Sequence, residues 1–381
     1  GIKYDIVTSS TTGNSSGCYV FDGVPVKVIA NKDPREFEQH LPGDFPLSRL
    51  YERLRRRFYQ QRNYWAEALP MFGHLLREGR KYDTIHVFGN NAVTSAAISY
   101  AKATGKPILV EIVNLTEDPH QYEPVPISFL WGKGFPTQTL LVCLSENLRQ
   151  VCLQHGYSDQ QIWCRPNPVD ESRFNFEPDP LKIFARNLYG LKNSDVMILH
   201  LAKFMPLKNQ LFSVNIMSYL PDNFKLTLVG PLIESGPFFA RDRAYYDSVL
   251  NAIKRKGLES RIQVVPEFVA TPEHYIKGAD VLVLPSTTEA FGTPAIEAIA
   301  CGVPVVTGPI PGVFNQWIEP GLNGFICPFD HEAWAQKILL AHRFSLEVMK
   351  RASERILDKV STNVIDQKYF HKLGTVQSTK Q

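Results

Sequence analysis

Two glutamates, Glu289 and Glu297, bracket a Phe-Gly-Thr-Pro turn in the stretch "STTEAFGTPAIEAIACGVPVV". The run before them, "ADVLVLPS", reads as a strand, and "TPAIEAIACG" reads as a helix, so the acids flank a strand-to-helix handover. Thr293 is the expected N-cap, Pro294 the first helical residue and Gly302 the stop, which puts Glu297 in the first turn. A helix amino end has unpaired N–H groups and a partial positive charge. With Gly292 letting the backbone come close, it forms a seat for a diphosphate. A carboxylate cannot hold phosphate, but it accepts hydrogen bonds from hydroxyls, which a ribose or a hexose presents. Two readings stand level here. Either the acids bind hydroxyls on both sides of the phosphates, or Glu297 complements the helix dipole and Glu289 is a solvated loop acid.

Lys203 and Lys208 lie in "LAKFMPLKNQ", just past the strand "VMILHLA". Two lysines at the carboxyl end of a strand can neutralise a diphosphate and stabilise the charge that develops as its bond breaks. A pair of surface lysines is the competing reading. Their place in the same half as the glutamate turn weighs towards the phosphate role.

Positioning such groups takes parallel strands. Short apolar runs alternate with helical patterns: "YDIVTSS", "VPVKVIA", "TIHVF", "PILVEIV" and "TLLVCLS", then "VMILHLA", "FKLTLVG", "RIQVV", "DVLVLP" and "VPVVT". Continuous runs of this length, with helices between them, predict parallel strands covered on both faces. The expected architecture is α/β, with two Rossmann-like doubly wound domains facing across a cleft. A chain of 381 residues suits two domains. Prolines and acids in "RPNPVDESRFNFEPDP" interrupt both periods and place the boundary there. The expected domains are 1–170 and 171–360. Residues 361–381 follow as one short helix, Ser361–Leu373, and a polar tail.

Charged residues are 21% of the chain and the net charge is +3, which argues against disorder and is too small to indicate nucleic acid. The six cysteines include no Cys-x-x-Cys pair, so reduced thiols filling a core in a cytoplasmic protein are expected. No apolar run reaches the ~18 residues that span a bilayer. His86 and His200 sit in strands and read as hydrogen-bonded core residues. No spacing suggests zinc, and no Gly-x-Gly-x-x-Gly follows a strand, which speaks against a nicotinamide cofactor. In residues 47–62, Leu47, Leu50, Tyr51, Leu54 and Phe58 share one helical face, beside six arginines and one glutamate. Peripheral contact with an anionic membrane is one reading of this helix, and a surface helix packed on the first sheet is the other.

With these segments in view, the chain resembles the retaining glycosyltransferases of family 4, which have the two-domain GT-B fold. "EAFGTPAIEAIACGVPVV" is similar to that family's Glu-x7-Glu signature, and "GVFNQWIEPGLNGFICPFD" to the segment that follows it. "LAKFMPLKN" resembles its paired basic residues, "RPNPVDESRF" its interdomain stretch and "KYDTIHVFGN" a strand of its first domain. The resemblance implies a nucleotide-diphosphate sugar as donor, a glycan, lipid or small-molecule hydroxyl as acceptor, and a catalytic set of Lys203, Lys208 and Glu289. Glu297 would hold the ribose and Glu289 the transferred sugar. Ala290 and the backbone N–H groups of Phe291, Gly292 and Thr293 would line the phosphates, with the base near Phe268 and Val269. His120 is a candidate contact for the donor sugar. The family uses no metal, no cofactor and no protein nucleophile, and the sequence contains no Asp-x-Asp.

Three departures stand out. The chain opens where the family's second strand lies, so a leading strand and helix of about 25–30 residues is expected to be missing. The strand "ILVEIVN" lacks the family's terminal histidine, and Asn315 stands where relatives carry glutamate. A catalytically inactive sugar-nucleotide-binding protein of the same fold is therefore the alternative. An epimerase or phosphorylase of that fold is a further rival.

Overall fold

A computed structural model describes residues 4–9, 16–21, 24–30, 62–89, 91–113, 139–176, 186–187, 190–234 and 238–378. The chain divides into two compact units. One comprises Gly1–Cys143, Arg149–Cys164 and Lys372–Gln381, and the other Leu144–Leu148 with Arg165–His371. The units change over at Cys164/Arg165, inside the proline-rich stretch's amino edge, against the expected 170/171.

In the first unit, β1 (Ile6–Ser9), β2 (Gly17–Phe21) and β3 (Val24–Ile29) form one sheet in the order β1-β3-β2. β1 runs parallel to β3, while β2 turns back antiparallel as a hairpin. Helix α1 (Arg62–Glu78) buries Trp65, Ala68, Met71 and Leu75, spaced at helical period, and packs on α2 (Ala92–Thr104). Asn91 caps α2 by accepting from the Thr94 N–H at 2.9 Å, and Gly105 ends it at φ 67°. The second sheet holds β4 (Ile85–Phe88), β5 (Ile108–Ile112), β6 (Thr139–Cys143) and, after α3 (Glu146–Gln154), β7 (Ile162–Cys164), in sequence order and all parallel. Every residue of β5 and β6 is buried, as continuous apolar runs require. Of the polar exceptions, Thr139 and Glu111, the latter is matched with His86 across the β4–β5 pair at 3.0 Å. Of the six cysteines, Cys143, Cys152, Cys301 and Cys327 fill the cores.

The second unit alternates strand and helix: β8 (Val196–Leu201), α4 (Gln210–Ile216), β9 (Phe224–Val229), α5 (Phe239–Arg255), β10 (Ile262–Val265), α6 (Pro272–Gly278), β11 (Val281–Leu284), α7 (Thr293–Ala300), β12 (Val305–Thr307) and β13 (Gly324–Ile326). Helices α8 (His331–Ala341), α9 (Leu346–Val360) and α10 (Thr362–Ser378) follow. The six parallel strands lie in the order β10-β9-β8-β11-β12-β13. The chain starts in the middle, builds outward through β9 and β10, then returns to the other side of β8. The reversal between β8 and β11 makes a topological switch point, where ligands of such sheets bind beyond the strands' carboxyl ends. The two loops that carry Lys203, Lys208 and the glutamate turn are the loops at that point.

The strands Gly17–Phe21, Ile162–Cys164 and Gly324–Ile326 were absent from the apolar runs, the last two because three residues are too short for a period to register. Helix α10 runs to Ser378, beyond the expected Leu373. A glycine such as Gly374 costs a helix interior only about 1 kcal/mol, too little to end it unaided.

Gly230, after β9, has φ 151°, and a Cβ there would lie 2.2 Å from the carbonyl oxygen of Ala202. The loop after β8 can lie against the end of β9 only because that Cβ is missing. Gly230→Ala should therefore lower stability by about 2 kcal/mol through strain and overpacking. A denaturant titration that leaves the midpoint of the second unit unmoved would refute this.

Candidate functional site

Past β8, the chain runs through Ala202 and Lys203, buries Phe204, and makes a 3-10 turn at Pro206–Lys208. Asn209, at φ 57°, then redirects it into α4. Asparagine is one of the few residues that takes this left-handed conformation without large cost. Gln210 is buried and donates from Nε2 to the carbonyl of Lys203 at 2.9 Å, pinning the loop from below. The imidazole of His200, beneath the loop, has Nδ1 2.8 Å from the Ser213 hydroxyl. Burial, with Lys208 nearby, pushes its pKa down to about 3, so it is a neutral core residue, as read from the sequence.

Lys208 and Glu289 are 81 residues apart in sequence, yet Lys208 Nζ donates to Glu289 Oε1 at 2.5 Å. The Ser286 hydroxyl donates to the same oxygen at 2.8 Å. Glu289 Oε2 has no partner among the described residues. The N–H of Thr287 donates to the carbonyl of Leu207 at 2.9 Å, so backbone as well as side chains tie the two loops together. The lysine and the acid were assigned separate roles from the sequence; the structure makes them a pair.

The turn itself is fixed from behind. Phe291 is buried, edge-on to Trp317 with ring centres 5.8 Å apart, so only its backbone is left for a ligand. Gly292 is the N-cap of α7 at φ 76°, and a Cβ there would meet Phe314 Cε1 at 2.3 Å. This corrects the expected cap: Thr293 is the first helical residue and Pro294 the second. The left-handed turn that only glycine takes easily sets the helix start one residue earlier. Glu297 consequently lies in the second turn, and the first turn contains no acid. The N–H groups of Phe291, Gly292 and Thr293 have no hydrogen-bond partner among the described residues. Three open donors at a helix amino end make an anion seat.

Glu297 is half-buried, and burial pushes its pKa up to about 7, against an opposing pull from Arg173 and a further push from Glu273. Arg173 itself is engaged by Glu273, with Nη2 2.6 Å from Oε2 and Nε 3.2 Å from Oε1. That pairing leaves Glu297 without a neutralising ion pair among the described residues. Charging it in the unliganded protein is correspondingly costly.

Lys203 Nζ stands 3.6 Å from Oδ2 of Asp242, a fully buried acid that the sequence reading did not single out. Ser286, Gln210, Arg173 and Glu273 were missed in the same way. Arg173 and Glu273 pair across 100 positions, while Ser286 and Gln210 act on residues three and seven positions away, and only a polar residue beside a strand end hinted at them. Val269 is half-buried and Phe268 is 79% exposed on the loop after β10, two strands from the switch point. Asn315 is exposed on the 3-10 turn Phe314–Gln316. Ala290 leads into the turn as expected, half-buried. His120 and nearly all of the arginine-rich segment 47–62 lie outside the described residues. Among the described residues no helix is long and apolar enough to cross a membrane.

Residues 182–355 match the family described as glycosyl transferases group 1. A galactosyltransferase of Escherichia coli, UDP-Gal:alpha-D-GlcNAc-diphosphoundecaprenol alpha-1,3-galactosyltransferase, is 24% identical over 66% of this chain and 64% of its own length. A D-inositol 3-phosphate glycosyltransferase of Kineococcus radiotolerans is 26% identical over 49% of this chain and 45% of its own length. The chain thus spans less than two thirds of the length of these relatives. HepE of Anabaena, solved with UDP and glucose, superposes with a TM-score of 0.70 over 93% of this chain and 87% of its own, at 18% identity. Sucrose-phosphate synthase of Thermosynechococcus elongatus gives 0.71 over 98% and 89%, also at 18% identity. At such identities the likeness establishes the GT-B fold.

Proposed function

The second unit of this chain carries a glycosyl transferases group 1 domain, and from that premise we propose that the protein moves a hexose from a nucleotide-diphosphate sugar to an acceptor hydroxyl. The observation that carries this reading is the convergence at the switch point of Lys208, Glu289 and three open N–H groups. The N–H groups and the two lysines take the diphosphate, Glu297 accepts from the ribose hydroxyls, and the free oxygen of Glu289 accepts from a hydroxyl of the sugar. Phe268 and Val269 flank the base. Uracil is the base of choice, since HepE, of the same fold, was solved with UDP. The acceptor is a glycan or lipid hydroxyl, as the galactosyltransferase's diphosphoundecaprenol-linked acceptor suggests by name.

Transfer proceeds with retention and without a metal ion in this reading. The bond from the anomeric carbon to the diphosphate oxygen breaks, and the acceptor oxygen bonds to the same face. The departing diphosphate receives the hydroxyl's proton. Lys203 and Lys208 stabilise the charge that gathers on that diphosphate.

Thermal unfolding with UDP, GDP and ADP tests the donor site. At 100 times its Kd, a ligand adds about 2.7 kcal/mol, a rise of several degrees for a unit of this size. UDP should raise the Tm of the wild-type protein, and Lys208→Ala and Glu297→Ala should each reduce the rise. The absence of any shift with all three nucleotides would remove the donor-site reading.

A further inference from the structure

We infer that Asp242 is a positioning residue for Lys203, holding its ammonium against the terminal phosphate of the donor nucleotide; the inference rests on the donor-site reading above. Asp242 is 0% exposed, a costly place for a carboxylate unless cations pair with it. Arg241 places Nε and Nη2 at 2.9 and 2.8 Å, but both on Oδ1. Oδ2 is buried with no hydrogen-bond partner among the described residues, and Lys203 Nζ stands 3.6 Å from it. One oxygen of a fully buried acid is thus left facing one lysine.

Both ends of this contact are fixed. Asp242 lies in the first turn of α5, and the next turn docks that helix on the same loop and on α4. Tyr245 Oη accepts from the Leu211 N–H at 3.2 Å, and Tyr246 packs edge-on to Phe204 at 5.1 Å. The backbone of Lys203 is held by Gln210 and by the close approach of Gly230. What remains loose is the lysine's four-carbon stem, and a fixed carboxylate anchors its far end. The side chain of Lys203 keeps 31% of its exposure, so its ammonium still faces a ligand. Lys208 is anchored in the same manner by Glu289. Each lysine of the pair therefore has its own acid, one from the first turn of α5 and one from the loop after β11.

Field and position predict opposite signs. By field alone, an acid beside Lys203 weakens an anionic ligand, and removing it tightens binding. By position, removing it lets the ammonium wander, and binding weakens. Titration calorimetry of UDP and UMP against wild type, Asp242→Asn, Lys203→Met and the double variant separates the two. Asp242→Asn should weaken UDP by about tenfold, the scale of one lost charge-assisted contact, and leave UMP within about twofold. The double variant should bind UDP no worse than Lys203→Met, since the acid acts only through the lysine. Should Asp242→Asn not fold, Arg241→Gln, at a half-exposed position, frees the carboxylate to turn and should weaken UDP but not UMP. Tighter or unchanged UDP binding, equal losses for UDP and UMP, or additive losses in the double variant would each overturn the inference. If wild type itself does not prefer UDP to UMP, or Lys203→Met binds UDP normally, it is the donor-site reading that fails.

Discussion

Lys208→Ala should slow the release of UDP from UDP-glucose by about 10²–10³-fold, or about 3–4 kcal/mol, the loss seen when a preorganised donor to a developing charge is removed. The ammonium does not need to be recruited when the bond breaks. It is already fixed by Glu289 at 2.5 Å, on a turn held by Pro206 and Asn209. A group whose position is set before reaction spends no reorganisation energy during it, which is why the effect should fall on kcat more than on affinity. Hydrolysis of UDP-glucose to UDP and glucose, followed by UDP release, reads this without knowing the acceptor. Lys208→Ala that keeps more than half of the wild-type rate would sink the role. Glu289→Gln is a useful companion: it keeps one acceptor oxygen, for Ser286, while its amide N–H replaces the second oxygen and the lysine is loosened; because the ammonium stays, its loss should be smaller than that of Lys208→Ala.

The strands of both units were largely legible because a strand buried on both faces reads as a nearly continuous apolar run, and β5, β6, β8 and β11 do, with Glu111, Thr139 and His200 as the polar exceptions. The glutamate turn was legible for a local reason too: strand, glycine and helix follow one another without interruption. The cap was misplaced by one residue because Thr293-Pro294 is itself a good helix start, and nothing in the sequence reveals that Gly292 is pressed against Phe314. The pairings were not legible at all. Lys208 with Glu289 and Arg173 with Glu273 join residues 81 and 100 positions apart, and no periodicity relates them. The first follows only from the order of the sheet, which brings the loops after β8 and β11 together, and the second ties the segment before β8 to helix α6. Asp242 is the sharpest case. In sequence it is one acid among arginines on an amphipathic helix, and a solvated face is the natural reading, yet it is completely buried.

The pH dependence of donor binding should turn on Glu297. In the unliganded protein its pKa is pushed up to about 7, chiefly by burial. A ribose hydroxyl donates to the carboxylate and not to the acid, so binding requires the proton to leave. Below pH 7 each unit then lowers the affinity about tenfold, and between pH 8 and pH 5 the affinity for UDP-glucose should fall about 100-fold. UDP-glucose is the ligand of choice because a free terminal phosphate, with a second pKa near ~6, would titrate in the same window. Glu297→Gln keeps an acceptor oxygen but cannot titrate. Its affinity should be about tenfold weaker than wild type at pH 8 and nearly flat across the range. Stability moves the other way. A carboxyl whose folded pKa is raised contributes stability below its unfolded value of 4.5, and that contribution is lost as pH rises through about 7. Without nucleotide, Glu297→Gln should therefore be more stable than wild type at pH 8, with the difference shrinking towards pH 5. A single substitution that gains stability and loses ligand at the same pH is what a residue buried for binding predicts. If Glu297 instead only complements the dipole of α7, its replacement should cost stability at pH 8 and leave the pH profile of UDP-glucose binding unchanged.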